Sequence, residues 1–383
     1  MRVTRRILLL SVSAGAGHVR AADALDATVA TLAVQGGAVE ARHLDVMDFV
    51  PSSFRRIYAD FYLSLITRYP RIWGMLYRIT GDARPDAVVQ RMRRTIERLN
   101  TRRLRAAIAD FAPDAIICTH FLPAEMLARQ IRKGRVTAPV YLQVTDFDLH
   151  RMWVVPGMTG YFAASPEIAH RMHAVGLPME RVHTTGIPVM PAFAETHDRA
   201  ALVASFGMDP ARPAYLVMGG GAGVGALDEL ADALLCAGGD FQLVVLAGRN
   251  AGMLARLRKL ADGKHAGRLF PQGYTKHVER LMACCDLAIT KPGGLTTSEC
   301  LAMGLPMIVN APIPGQEERN ADYLMEQGAA WKAIDAVALA WRINALHDDP
   351  SQLAGMAARA RAIGRPQAAR DVIDIVLAQL GHA

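Results

Sequence analysis

Cysteine is scarce in this chain, and the few there are lie scattered. Cys118, Cys236, Cys284, Cys285 and Cys300 show no metal-ligand spacing, and their odd number argues for reduced thiols rather than a disulfide framework, as in a cytosolic protein. No run of 18 apolar residues occurs, so no transmembrane helix is expected. Low-complexity tracts and short-period repeats are also missing, which leaves solenoids and disordered linkers out. Aromatic residues are only 6% of the chain, so any local concentration of them carries information. The N-terminus, RVTRRILLLSVSAGA, partly mimics a secretory signal, but its apolar core is short and a helical pattern follows at once. A strand, loop and helix account for it better.

With 383 residues the chain is long enough for two domains. Strand and helix signals alternate along it. RRILLLSV, VEARHLDVMD, DAIICTH, APVYLQVTD and GYFAAS read as strands of a first half, with a helix over VRAADALDATVATLAVQG that ends at Gly36. The pattern restarts at PAYLVMGGGAGVGALDEL, and FQLVVLAG, RLFPQG, LAITKPGG and LPMIVNAP follow as strands of a second half. Such alternation predicts parallel sheets covered by helices, an α/β protein of two Rossmann-like domains. The division is expected at residues 1–190 and 191–383, with the last helix able to pack back on the N-terminal domain.

Charge is unevenly placed. The net charge is +7, yet residues 51–105 alone hold thirteen arginines against four acids. Within that segment Phe54, Ile57, Tyr58, Phe61, Tyr62, Leu65 and Ile66 recur at helical spacing, Trp73 and Tyr77 follow, and Arg55, Arg56 and Arg68 fall largely on other faces. Arginine patches suit phosphate-bearing surfaces, either anionic lipid or nucleic acid. Apolar aromatics beside them favour a helix lying on a membrane, although a helix packed on its own core has the same periodicity.

Two glycine-rich loops follow strands and precede helices: SAGAGH, which ends at His18, and GGGAGVGA, which contains Gly220. Glycine lets a ligand approach the backbone, and a helix N-terminus attracts anions. GAGVGA fits a dinucleotide pattern, but the next strand ends in Arg249 where a ribose-binding acid would stand. An NADP-dependent oxidoreductase therefore stays open, as does a sugar nucleotide. Downstream, KPGG leads into TTSE, where Glu299 either closes a capping box with Thr296 or offers a carboxylate to ribose hydroxyls.

KPGGLTTSECLAMGLPMIV followed by PGQEERNADYL resembles the donor half of the monogalactosyldiacylglycerol synthases and processive diacylglycerol glucosyltransferases. SAGAGHVRAADAL, LDVMDFVPSSFRRIYADFYL and VTDFDLHRMWV resemble that family's acceptor half, so the likeness spans roughly residues 5–330. It implies a GT-B glycosyltransferase, two Rossmann-like domains facing across a cleft. A hexose would pass from UDP-galactose or UDP-glucose to diacylglycerol or a similar lipid with inversion to a β-glycoside. The family works without a catalytic metal or other cofactor, as a peripheral protein on the cytoplasmic face of an anionic membrane, with no nucleic-acid partner. By matching position, Glu299 would hold the uridine ribose and Val278 the uracil. Gly293, Gly294, Thr296, Thr297 and Arg249 would lie at the diphosphate, Gly220 would contact the donor, and Gln316, Glu317 and Asn320 would lie at the donor sugar and phosphate. Gly17, His120, Arg55, Arg56, Phe61, Tyr62 and Trp73 would face acceptor or membrane.

Inversion needs one general base. His18, His120 and Asp146 all follow strands of the first half, whose ends converge on one crevice in an open sheet. His18 is the expected base, with Asp146 as the second candidate or the group that orients the acceptor. His120 and His150 read more readily as hydrogen-bonded structural histidines. The loop reads SAGAGH where the family more often has three successive glycines, and VTDFDLHRMWV fits loosely, which leaves the acceptor less defined than the reaction. A UDP-sugar epimerase on the same fold would need no lipid and no basic aromatic helix.

Overall fold

The computed structural model describes residues 4–13, 15–51, 55, 74–75, 101–219, 226–310 and 312–381. These fall into two compact units. The first takes Met1–Pro191, Ile313–Gln316 and Gln367–Ala383, and the second takes Ala192–Pro312 and Glu317–Pro366. The expected aromatic, arginine-rich helix lies almost wholly outside the described residues, and Arg56, Phe61, Tyr62, Trp73 and Gly220 lie outside them with it.

The first unit is built on a six-stranded parallel sheet of β1 (Arg5–Ser11), β2 (Val39–Asp45), β3 (Ala115–Cys118), β4 (Val140–Gln143), β5 (Gly160–Ala163) and β6 (Val182–Thr184), in the order β2-β1-β3-β4-β5-β6. Ile7 to Leu10 of β1 have no exposure, as expected of an unbroken apolar run covered on both faces. The helix Ala16–Val34 lays Ala22, Leu25 and Val29 on one side of this sheet. The C-terminal helix Ala368–Gly381 joins the same core through Val372, Ile373 and Val376. It is tied there by the Tyr141 hydroxyl, which donates to Gln379 Oε1 at 2.7 Å, and by Arg5, which donates to the Leu380 carbonyl at 3.0 Å.

The second unit holds β7 (Ala214–Met218), β8 (Gln242–Leu246), β9 (Leu269–Gln272), β10 (Leu287–Thr290), β11 (Met307–Asn310) and β12 (Ala330–Ala333), again all parallel, in the order β12-β11-β10-β7-β8-β9. This is the doubly wound order that binds nucleotides at its reversal point. Tyr215, Val217, Phe241, Leu243 and Leu287 centre its core. Gly304, at φ 65°, ends the helix Gly294–Ala302 in a conformation open to glycine and strained for other residues.

Both sheets reverse direction once, at β1/β3 in the first and at β7/β10 in the second. The crevice outside the carboxyl ends of those strand pairs is where such sheets bind ligands.

Candidate functional site

In the first unit the switch point gathers histidines. Beyond β1 the chain turns through Gly15, which caps the helix without a side-chain bond, and the helix begins at Ala16. Gly17 and His18 therefore belong to the first helical turn and not to the loop, three residues earlier than the sequence pattern places the helix start. Beyond β3 come Thr119 and His120, and beyond β4 come Thr145 and Asp146. The Thr119 hydroxyl donates to the His18 carbonyl at 2.8 Å, pinning that turn to the neighbouring strand end. His18 Nδ1 lies 2.8 Å from Thr145 Oγ1. Its ring meets His120 edge-on, with centroids 4.5 Å apart, and Trp153 at 6.0 Å.

Burial lowers the His18 pKa from its ordinary value to about 4, so the ring is neutral at neutral pH. Thr145 takes Nδ1, which leaves Nε2 for a substrate. A Cβ placed on Gly15 would stand 4.0 Å from that nitrogen, so the glycine keeps the approach open.

His120 has a different role from His18. It is buried, and its Nδ1 accepts from the Leu122 N–H at 3.0 Å, capping the helix Phe121–Arg132. Accepting there requires an unprotonated Nδ1, so the neutral ring carries its proton on Nε2. Burial and the neighbouring His18 both keep it uncharged. His150 likewise accepts from the Met152 N–H at 3.3 Å and caps a short turn. Asp146 is partly buried and one residue from Thr145. Arg55 is exposed and pairs with Asp48 at 3.2 Å.

In the second unit the switch point is made of backbone. Thr290 ends β10, Lys291 and Pro292 turn the chain, and Gly293 caps the helix Gly294–Ala302 with no side-chain cap bond of its own. The capping-box reading of Thr296 and Glu299 fails here: with Gly293 as the cap, both are interior residues of the helix. Glu299 is only 6% exposed. Thr296 is partly exposed, whereas Thr297 is fully buried and its hydroxyl has no hydrogen-bond partner among the described residues. Asn320, also fully buried, donates from Nδ2 to the Pro292 carbonyl at 3.0 Å and so braces the KPGG turn from behind. Glu317 lies in the helix Gln316–Glu326, whose first residue, Gln316, is grouped with the first unit, and Val278 opens the helix Val278–Cys284; all three are partly buried.

Arg249 follows β8 and is exposed, with its guanidinium 4.2 Å above the ring of Tyr274. The stack orders a long side chain that solvent would otherwise leave mobile. Tyr274, Thr145, Phe121 and Trp153 are the site neighbours that sequence reasoning did not single out. Thr145 and Trp153 lie inside the motif VTDFDLHRMWV, and Tyr274 is the aromatic residue of GYTKHV.

Residues 18–189 match the family model of monogalactosyldiacylglycerol (MGDG) synthase, and residues 215–372 match that of the glycosyltransferase family 28 C-terminal domain. The chain is 28% identical over 381 residues to a processive diacylglycerol beta-glucosyltransferase of Bacillus mycoides (strain KBAB4), covering 99% of this chain and 94% of that protein. Among solved structures it resembles MurG of Acinetobacter baumannii, with a TM-score of 0.60 at 16% identity over 98% of this chain and 99% of that one. It also resembles a UDP-GlcNAc 2-epimerase from Neisseria meningitidis bound to UDP-GlcNAc, with a TM-score of 0.59 at 15% identity over 97% and 99%. At such identities the structural likeness speaks for the fold, which is that of the GT-B enzymes. The chain thus joins a segment similar to the MGDG synthases to one similar to the C-terminal domain of glycosyltransferase family 28, on the fold of the GT-B enzymes.

Proposed function

We propose that this protein is a UDP-sugar-dependent hexosyltransferase that moves glucose or galactose from its UDP carrier to 1,2-diacylglycerol, giving a β-glycoside. The observation that carries the reading is the full-length relationship to processive diacylglycerol beta-glucosyltransferases, joined to a neutral imidazole at the switch point of the first sheet. In the reaction, His18 Nε2 takes the proton of the acceptor hydroxyl as its oxygen bonds to the anomeric carbon. The bond from that carbon to UDP breaks, and its electrons leave on the β-phosphate. Thr145 holds the ring from Nδ1, and Asp146 orients the acceptor.

In the second unit Glu299 holds the ribose and Val278 the uracil. The N–H groups at Gly293 and Gly294, with Thr296 and Arg249, stabilise the departing diphosphate. Gln316, Glu317 and Asn320 complete the sugar side, Asn320 by shaping the turn it braces. No resident metal or other cofactor takes part in this scheme. The lipid acceptor calls for attachment to an anionic bilayer on its cytoplasmic face. No helix among the described residues is long and apolar enough to cross a membrane.

The test is to incubate the protein with diacylglycerol-containing vesicles and radiolabelled UDP-glucose or UDP-galactose, then extract the lipid. Labelled glycolipid that disappears with His18→Ala is the expected result. No labelled lipid with either donor would sink the proposal. Interconversion of the UDP-sugar in the absence of vesicles would point instead to an epimerase, which the same architecture also supports.

A further inference from the structure

Cys236 is the exposed one of the five free cysteines; the other four are buried. It ends the helix Leu227–Cys236, and Asp232 lies one turn earlier on the same face. Across from them, the connection after the helix Ala251–Asp262 brings in Lys264 and His265. His265 Nε2 lies 2.6 Å from Asp232 Oδ1, and the Cys236 thiol donates to that same oxygen at 3.8 Å. The three ligand atoms all lie within 4.8 Å of one another.

The two segments are held in register. The His265 N–H donates to the Leu260 carbonyl at 3.0 Å, and the His265 carbonyl accepts from Arg268 and Leu269, both at 3.1 Å. The Arg268 guanidinium reaches across to the Gly239 carbonyl at 2.6 Å and the Leu235 carbonyl at 3.4 Å, just past and just before Cys236. Arg256 pairs with Asp228 and joins the same two helices one turn further back. His265 is itself only 5% exposed, so its ring is placed and not free to wander.

We infer that Asp232, Cys236 and His265 form a binding site for a borderline divalent cation of the zinc type, seated between the end of one helix and the connection that follows the next. One thiolate, one imidazole and one carboxylate are the donors zinc and cobalt(II) prefer, and three protein ligands leave a fourth position for water. Tetrahedral zinc bonds of about 2.0–2.3 Å place ligand atoms roughly 3.2–3.8 Å apart. The sulfur–oxygen distance already matches. The nitrogen–oxygen distance must open, which the partly exposed Asp232 carboxylate allows by rotating.

Lys264 competes for the site. Its ammonium lies 2.8 Å from Asp232 Oδ1 and serves as the cluster's own cation, and its hydrogen bond and that of His265 hold the Asp232 carboxyl below its usual range. A metal ion must displace that ammonium, and the exposed lysine side chain can swing into solvent. The helix Leu227–Cys236 follows the second glycine-rich loop, and the helix Ala251–Asp262 follows Arg249. A cation at their far ends would therefore brace two elements that both begin beside the sugar-nucleotide residues.

The experiment titrates the full-length, reduced protein with cobalt(II) and reads the near-ultraviolet thiolate-to-cobalt charge-transfer band. It then repeats binding with zinc by calorimetry. The site predicts one equivalent with a charge-transfer band, loss of that band in Cys236→Ser, and affinity at least about fivefold tighter in Lys264→Ala, where a like charge beside the ligand oxygen is gone. Saturating zinc should raise the melting temperature of the wild type and leave that of Cys236→Ser unmoved. A band that survives in Cys236→Ser, or no band in either wild type or Lys264→Ala, overturns the site. Equal affinity in wild type and Lys264→Ala overturns the role given to the lysine.

Discussion

The two sheets share a plan, six parallel strands with one reversal, yet they furnish the reversal point with opposite materials. The first places side chains there: His18 and His120 in a T-shaped contact, with Trp153 behind and Thr145 on the nitrogen that faces inward. The second places backbone there: two glycines, a helix start with no side-chain cap bond, and a buried asparagine whose task is to hold a proline carbonyl. Proton transfer needs a titratable group whose surroundings tune it, and burial of an imidazole supplies that. Holding a diphosphate needs many aligned donors and little bulk, and a glycine turn at a helix N-terminus supplies those. In the proposed reaction, one architecture would serve two chemistries through the residues at a single topological position.

If that division of labour holds, damage to the first crevice should spare nucleotide binding and damage to the second should not. His18→Ala is expected to lower turnover by about 10²–10⁴-fold, the usual weight of a general base, while UDP affinity measured by calorimetry stays within twofold of wild type as a rough bound. Equal losses in both quantities would erase the distinction. Glu299→Gln tests the other side. A hydrogen bond to a charged group is worth about 1.5–3 kcal/mol, so UDP affinity should fall roughly 10- to 150-fold, with the pH dependence of turnover unchanged.

The pH dependence is itself informative. Because His18 sits at about 4, it remains able to accept a proton well below neutrality. The acid limb of lipid glycosylation attributable to it should fall near that value and not near ~6.5. The sign for stability is the same as that of an ion-paired carboxylate, whose folded pKa is also depressed, but the window lies at higher pH. As pH drops through ~6.5 the unfolded chain takes up protons that the buried histidines refuse, so folding stability declines from there toward pH 4. Urea unfolding at a series of pH values reads this slope, and His18→Gln should flatten it. The smallest effect is expected from Gly15→Ala. The added methyl stands in ordinary contact with the ring, 3.7 Å from Cδ2, and only narrows the approach to Nε2. It should raise the apparent KM for lipid a few-fold, on the order of 1 kcal/mol of lost fit, with no change in melting temperature.

Much of this layout is legible in the sequence because central strands of parallel sheets are unbroken apolar runs. ILLL, AIIC, AYLVM and LAIT announce themselves. The outer strands β6 and β12 do not. VHT and AWKA are three- and four-residue edge strands, partly exposed, and nothing in their composition separates them from loop. The strand-end rule brings His18, His120 and Asp146 to one crevice without coordinates. It says nothing of Thr145 holding His18 across 127 residues of chain, since a contact of that length leaves no local trace. His120 reads as structural from sequence, and its cap to Leu122 is a structural role. Glu299 reads two ways until Gly293 is seen to occupy the cap. The Cys236 cluster was invisible because its ligands come from two separated segments with no motif spacing between them.

The helix Ala368–Gly381 completes the unit that the chain begins with, and this has a bearing on synthesis. Leu25 and Val29 leave the ribosome early, while Val372 and Val376, which share their core, leave it after the whole second unit has been made. The unit that starts first is finished last. For most of translation it carries an uncovered apolar face, which is the condition under which nascent chains associate wrongly or recruit chaperones.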